Sequence, residues 1–130
     1  MHIVSINTAR VAPLFVNESG NAQTVMTGIR KQPLRDGVMI NRLGLAGDEQ
    51  ADLTVHGGLD KAVYAYPAEH YSFWQQERER ALKQTASLAM GALGENLTTQ
   101  GLLETALWVG DRLQIEGVLL EVTEPRAPCY

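Results

Sequence analysis

The only cysteine of this chain, Cys129, sits in the run Pro125-Arg126-Ala127-Pro128-Cys129-Tyr130. Pro128 has a fixed φ and biases Ala127 toward an extended conformation, so the thiol is presented from a stiff, non-helical segment. A rigid mount of that kind suits a metal ligand. Arg126 stays charged and offers a fixed fork of donors, able to stabilise a thiolate or hold a phosphate. Taken alone, a lone cysteine reads first as a free thiol in a C-terminal tail, and only its context can overturn that.

A second group is Gly47-Asp48-Glu49-Gln50-Ala51-Asp52-Leu53, followed by His56-Gly57-Gly58-Leu59-Asp60-Lys61. Adjacent glycines let a backbone turn sharply and approach a ligand closely, and His56, Asp60 and Lys61 add three kinds of polar contact. The same pattern also fits a plain turn. In Leu93-Gly94-Glu95-Asn96-Leu97-Thr98-Thr99, the Asn96 carboxamide can bond an amide-rich ring, or satisfy its own loop. Arg30 and Lys31, in Thr27-Gly28-Ile29-Arg30-Lys31-Gln32-Pro33, can hold a phosphate or be solvated. The three histidines lack the paired spacing of a zinc helix, and neither CxxC nor HExxH occurs. No Walker motif or dinucleotide fingerprint is present, which removes support for nucleotide hydrolysis and nicotinamide chemistry.

Short β-type runs must position these loops: Ile3 to Ile6, Leu14 to Val16, Thr24 to Thr27, Val38 to Arg42, Ala62 to Tyr66 and Arg112 to Thr123. Most are bounded by Gly, Pro, Asn or Asp, as in a compact β barrel. Leu113-Gln114-Ile115 and Val118-Leu119-Leu120 flank Glu116-Gly117, a tight hairpin in which glycine supplies the positive φ. From about residue 67 to 83 the large apolar residues recur at helical spacing. Pro67 suits the first turn of that helix; Tyr71, Trp74, Ala81 and Leu82 share one face, and Gln75, Gln76, Glu79 and Arg80 face water. A second short helix is expected around Ala86 to Met90.

The 130 residues form one expected domain, with 45% apolar and 20% charged residues, an ordinary globular balance. A net charge of -4 gives no electrostatic footprint for a nucleic-acid backbone. The N-terminus lacks the pattern of a secretory signal, and no apolar run is long enough to span a bilayer. With one cysteine there is no internal disulfide. The expectation is a soluble, cytoplasmic protein with no nucleic-acid or membrane partner.

In this order, TGIRKQP, GDEQADLTVHGGLDKAVYAYPAEHY, LGENLTT and VGDRLQIEGVLLEVTEPRAPC resemble the stand-alone bacterial branch of the MOSC family, named for the C-terminal domain of molybdenum-cofactor sulfurases. The resemblance covers nearly the whole chain. It implies a mainly β fold, a closed or partly open barrel with one longer helix and short accessory helices. It also implies binding of the molybdenum cofactor in its molybdopterin form. Cys129 then serves as catalytic residue and as molybdenum ligand through its thiolate, with Lys31, His56, Gly57, Gly58, Asp60, Asn96 and Arg126 as cofactor-binding candidates. Similar proteins reduce N-hydroxylated compounds such as hydroxylaminopurine bases, with electrons from a separate flavoprotein. One cysteine cannot hold an iron–sulfur cluster, so an external donor is expected. Alternatives are a sulfur carrier using a Cys129 persulfide and a truncated, non-catalytic barrel. Relatives continue beyond the motif cysteine, so the chain is expected to be a fragment, which in turn favours a homodimer.

Overall fold

A computed structural model describes residues 1–127. The central sheet has the order β4-β1-β8-β7, with β1 at His2–Thr8, β4 at Gln32–Pro33, β7 at Ala65–Pro67 and β8 at Leu97–Gln100. β1 runs antiparallel to both β4 and β8, and β7 runs parallel to β8. Three hairpins surround this sheet: β2 (Ala12–Glu18) with β3 (Asn21–Thr27), β5 (Ile40–Asn41) with β6 (Gly44–Leu45), and β9 (Arg112–Ile115) with β10 (Val118–Glu121). The fold is mainly β. Of the two barrel forms expected, the described residues give an open arrangement, since β4 and β7 end the central sheet without pairing to each other.

The β2–β3 hairpin turns through Ser19 and Gly20, at φ 51° and 84°, the positive pair that matches the twist of a two-residue turn. At the β9–β10 turn, the left-handed φ falls on Glu116, at 48°, and not on Gly117 as expected. The helix, α1, spans Tyr71–Leu82 and is preceded by a 3-10 turn at Ala68–His70. Pro67 therefore ends β7, paired opposite Thr99, and is not in the first helical turn. α1 is also rotated from the expected orientation. Tyr71 is buried, but Trp74 and Leu82 are exposed while Gln75 and Glu79 are half-buried. Residues 86–89 form no helix; the accessory helices are 3-10 turns at Leu59–Lys61, Ala68–His70 and Glu104–Ala106. Among the described residues no helix is long and apolar enough to cross a membrane.

The buried interior is mostly polar. Leu45, Tyr71 and Leu97 are its buried hydrophobic residues, beside Asn7, Lys31, Glu95, Asn96, Thr98 and Thr99. The accessible surface is 9299 Å², against about 6,800 Å² for a typical monomer of this mass. Large apolar side chains, among them Phe15, Met39, Leu53 and Trp108, stand in water.

Candidate functional site

The turn entering β8 places Glu95 and Asn96 between β1 and β7, where neither side chain reaches water. A buried carboxylate must be offset by donors aimed at it. Glu95 Oε1 accepts from the Gly91 N–H at 2.8 Å, from the Thr98 hydroxyl at 2.7 Å and from the Tyr71 hydroxyl. Burial, followed by that bond to Glu95, pushes the Tyr71 hydroxyl above the ordinary phenol range. Gly91 is required at this point. A Cβ there would lie 2.8 Å from the Lys31 carbonyl oxygen and 3.0 Å from Asn7 Cβ.

Asn7, on β1, extends the network by donating from Nδ2 to Thr98 Oγ1 at 3.1 Å and to the Glu95 carbonyl at 3.3 Å. Asn96 uses both ends of its carboxamide. Oδ1 accepts the Tyr64 N–H at 3.1 Å, while Nδ2 donates to the Asn7 carbonyl at 3.3 Å and to Asp48 Oδ2 at 2.8 Å. Asp48 in turn holds Lys31 Nζ at 2.5 Å, with both side chains almost fully buried, and accepts the Ala9 N–H at 2.9 Å and Gln50 Nε2 at 3.2 Å. Lys31 and Asn96, two of the cofactor candidates, are thus committed to bonds inside the protein.

The other candidates gather at one edge of this network. Tyr64 fixes that edge, because its carbonyl accepts the N–H groups of Asn96 and Leu97 at 2.8 and 3.0 Å. The guanidinium carbon of Arg126 stands 4.4 Å from the centre of the Tyr64 ring, a cation–π contact. Two further bonds join the HGGLDK loop to the segment that leads to Cys129. Lys61 Nζ pairs with Glu124 Oε1 at 2.9 Å, and the Thr123 hydroxyl donates to the Asp60 carbonyl at 2.6 Å. Gly57 and Gly58 take φ of 77° and 85°, backbone that favours glycine, so the loop turns sharply before Asp60. Sixty-odd residues of sequence separation are closed by these three contacts. Cys129 lies outside the described residues.

The positive charge of Arg126 is felt by both ionisable rings beside it. Burial pushes the Tyr64 hydroxyl up to about 12, a shift that the nearby Arg126 charge opposes. The His56 pKa is lowered, first by burial and then by the positive charge of Arg126, with Asp52 acting in the opposite direction. Replacing Arg126 with alanine is expected to move the His56 midpoint up toward 6.5, read by an NMR titration of the imidazole; an unmoved midpoint would separate the two residues. Since folding lowers this pKa, its contribution is present above the unfolded value and is lost as pH falls through the folded one.

Cations with exposed glycine backbone fit a polar group carrying a phosphate, such as molybdopterin. Among the described residues no cluster of three or more His, Cys, Asp or Glu could hold a metal ion. The sequence reading missed Asn7, Asp48, Tyr64, Tyr71, Glu95 and Thr98. For Asp48 and Glu95 the signal available was an acid placed directly after a glycine, which reads equally as a solvated turn.

The family pattern described as the MOSC domain matches residues 52–130. Among curated relatives, the YflK protein of Bacillus subtilis (strain 168) is 43% identical over 84% of this chain and 47% of its own length. Protein YiiM of Escherichia coli (strain K12) is 44% identical over 72% of this chain and 40% of its own length. A protein of Gibberella moniliformis named reductase is 36% identical over 82% of this chain and 18% of its own length. The crystal structure of YiiM from Geobacillus stearothermophilus superposes with a TM-score of 0.67 at 31% identity, over 98% of this chain and 52% of that one. The chain spans about half the length, or less, of these relatives.

Proposed function

Because this chain belongs to the MOSC-domain family, we propose that it is the cofactor-holding module of a molybdenum-dependent oxidoreductase that reduces N-hydroxylated compounds such as hydroxylaminopurine bases. The observation that carries this reading is the threefold tie between the stretch from His56 to Tyr64 and the segment leading to Cys129, made by Lys61–Glu124, Thr123–Asp60 and Arg126–Tyr64. A relative of this chain is named a reductase.

In this reading Arg126 and His56 face the anionic and polar parts of the pterin, and Gly57 and Gly58 let the backbone approach it. Asp60 shapes the loop through its carbonyl bond to Thr123. Lys31 and Asn96 act from beneath, locking β1, β7 and β8 so that Tyr64 and the arginine above it stay in place. Cys129 supplies the soft thiolate that suits a molybdenum–sulfur centre. When bound, the cofactor supplies the two-electron redox chemistry. Reduction of an N-hydroxy group to an amine consumes two electrons and two protons and releases water. A separate flavoprotein delivers the electrons, and in this reading His56, whose neutral form is favoured at this edge, relays a proton. The cytoplasm is the proposed compartment.

The test is cofactor loading of the purified chain, followed by metal content and pterin absorbance. Wild-type protein is expected to retain molybdenum, and Cys129→Ser to hold it at least about tenfold less tightly. Absence of binding by the wild-type chain, or equal binding by both proteins, would overturn the assignment.

A further inference from the structure

Beyond that edge, a cleft of about 360 Å³ opens at the base of the β2–β3 hairpin, where the chain leaves β1 and later returns to β4. Arg10, between β1 and β2, and Arg30, between β3 and β4, line it together with Thr8, Thr27, Gln32 and Gly47. Its size falls within the range of small-molecule sites.

The two arginines differ from most other cations of the chain. Lys31, Lys61, Arg80 and Arg112 each pair with a carboxylate, and Arg126 lies over Tyr64. Among the described residues neither Arg10 nor Arg30 makes an ion pair, hydrogen bond or ring contact. A chain of net charge -4 therefore leaves two guanidinium groups unneutralised on one small concavity.

Their backbone is nevertheless fixed. Arg10 follows Ala9, whose N–H donates to Asp48 Oδ1 at 2.9 Å and whose carbonyl accepts the Glu49 N–H at 2.9 Å. Arg30 precedes Lys31, which is locked by its buried bond to the same Asp48. Gly28 lets the segment after β3 approach the backbone at Glu49 so closely that a Cβ there would lie 2.3 Å from the Glu49 carbonyl oxygen. Both side chains thus spring from anchored points beside one buried ion pair, which lowers the cost of holding them for a ligand.

We propose that this cleft is a binding site for a small molecule carrying a phosphoryl group, held between the Arg10 and Arg30 guanidinium groups. A phosphoryl dianion matches two cations in charge, and each planar fork can give two parallel N–H···O bonds to it. The Thr8 and Thr27 hydroxyls and the Gln32 amide lie in the same lining for the remainder of the ligand.

Titration calorimetry with inorganic pyrophosphate at low ionic strength tests this on the intact chain, without reference to reductase activity. Saturable one-site binding is expected, weakened about tenfold by Arg10→Gln and by Arg30→Gln separately. Both residues are exposed, so neither change disturbs folding. Arg42→Gln, at an exposed arginine outside the cleft lining, is expected to leave binding unchanged. No saturable binding, or equal weakening by Arg42→Gln, would overturn the proposal. Repeating the titration on cofactor-loaded protein separates the sources of the phosphoryl group. Retained uptake assigns the cleft to a free phosphorylated ligand, and lost uptake assigns it to the cofactor's own phosphate.

Discussion

Glu95→Ala is expected to lower folding stability by about 3–5 kcal/mol, a large part of the roughly 5–15 kcal/mol that holds a domain together. The Gly91 N–H and the Thr98 and Tyr71 hydroxyls all aim at Glu95 Oε1 in a region closed to water. Truncation leaves these donors without their acceptor and opens a cavity beside them. Oε2 has no hydrogen-bond partner, so Glu95→Gln can keep the working oxygen and put its amide on the idle side. That variant should cost about 1–2 kcal/mol. Urea denaturation of the three proteins checks both figures, and an alanine variant with the wild-type midpoint would show that the network does not hold the fold.

Asp48→Ala is expected to cost about 3–5 kcal/mol, and Lys31→Met only about 1–3 kcal/mol. The asymmetry comes from how many groups each partner serves. Asp48 accepts from Lys31, Ala9, Gln50 and Asn96, whereas Lys31 Nζ bonds to Asp48. Removing the carboxylate strands a buried ammonium; removing the ammonium leaves Asp48 with three donors. Adding Lys31→Met to Asp48→Ala should therefore recover part of the loss, a coupling that a double-mutant cycle measures directly. The exposed Lys61–Glu124 pair provides the scale, since breaking it should cost at most about 1 kcal/mol. Equal costs at the two pairs would sink this reading.

The sequence carried the parts of this molecule whose causes are local. Alternation around Glu116 and Gly117 placed the β9–β10 hairpin, and the spacing after Tyr71 placed α1. The apolar spacing of α1 pointed to the face of Trp74 and Leu82 as the one meeting protein, and that face is exposed. Which side is covered depends on β8 and the 91–95 turn, which bury Tyr71 through Glu95. Pro67 was read as a helix start because its φ suits both a first turn and an extended strand end; pairing with Thr99 settles it as strand.

At the site, the joint pattern of HGGLDK and PRAPC was legible, and the structure bonds Asp60 and Lys61 to Thr123 and Glu124, just before PRAPC, and sets Arg126 over Tyr64. The burial of Asp48 and Glu95 was not. Asn7 reaches Thr98 across ninety-one positions, and no local composition announces which Gly-flanked acid will be enclosed by strands so distant. Asn96 was singled out for a two-ended amide able to bond a ring or its own loop, and its partners in the structure are Tyr64, Asn7 and Asp48.

An interior assembled from Asn7, Lys31, Asp48, Glu95, Asn96 and Thr98 around a few apolar side chains also has a calorimetric consequence. Unfolding raises heat capacity through newly wetted apolar surface and lowers it through newly wetted polar surface. This chain already leaves much of its apolar surface in water while folded and wets a polar centre when it opens. Its heat-capacity increment should fall below the usual ~12–15 cal/mol/K per residue. The curve of free energy against temperature is then shallow, and cooling weakens the protein less than it weakens one closed around leucine and valine.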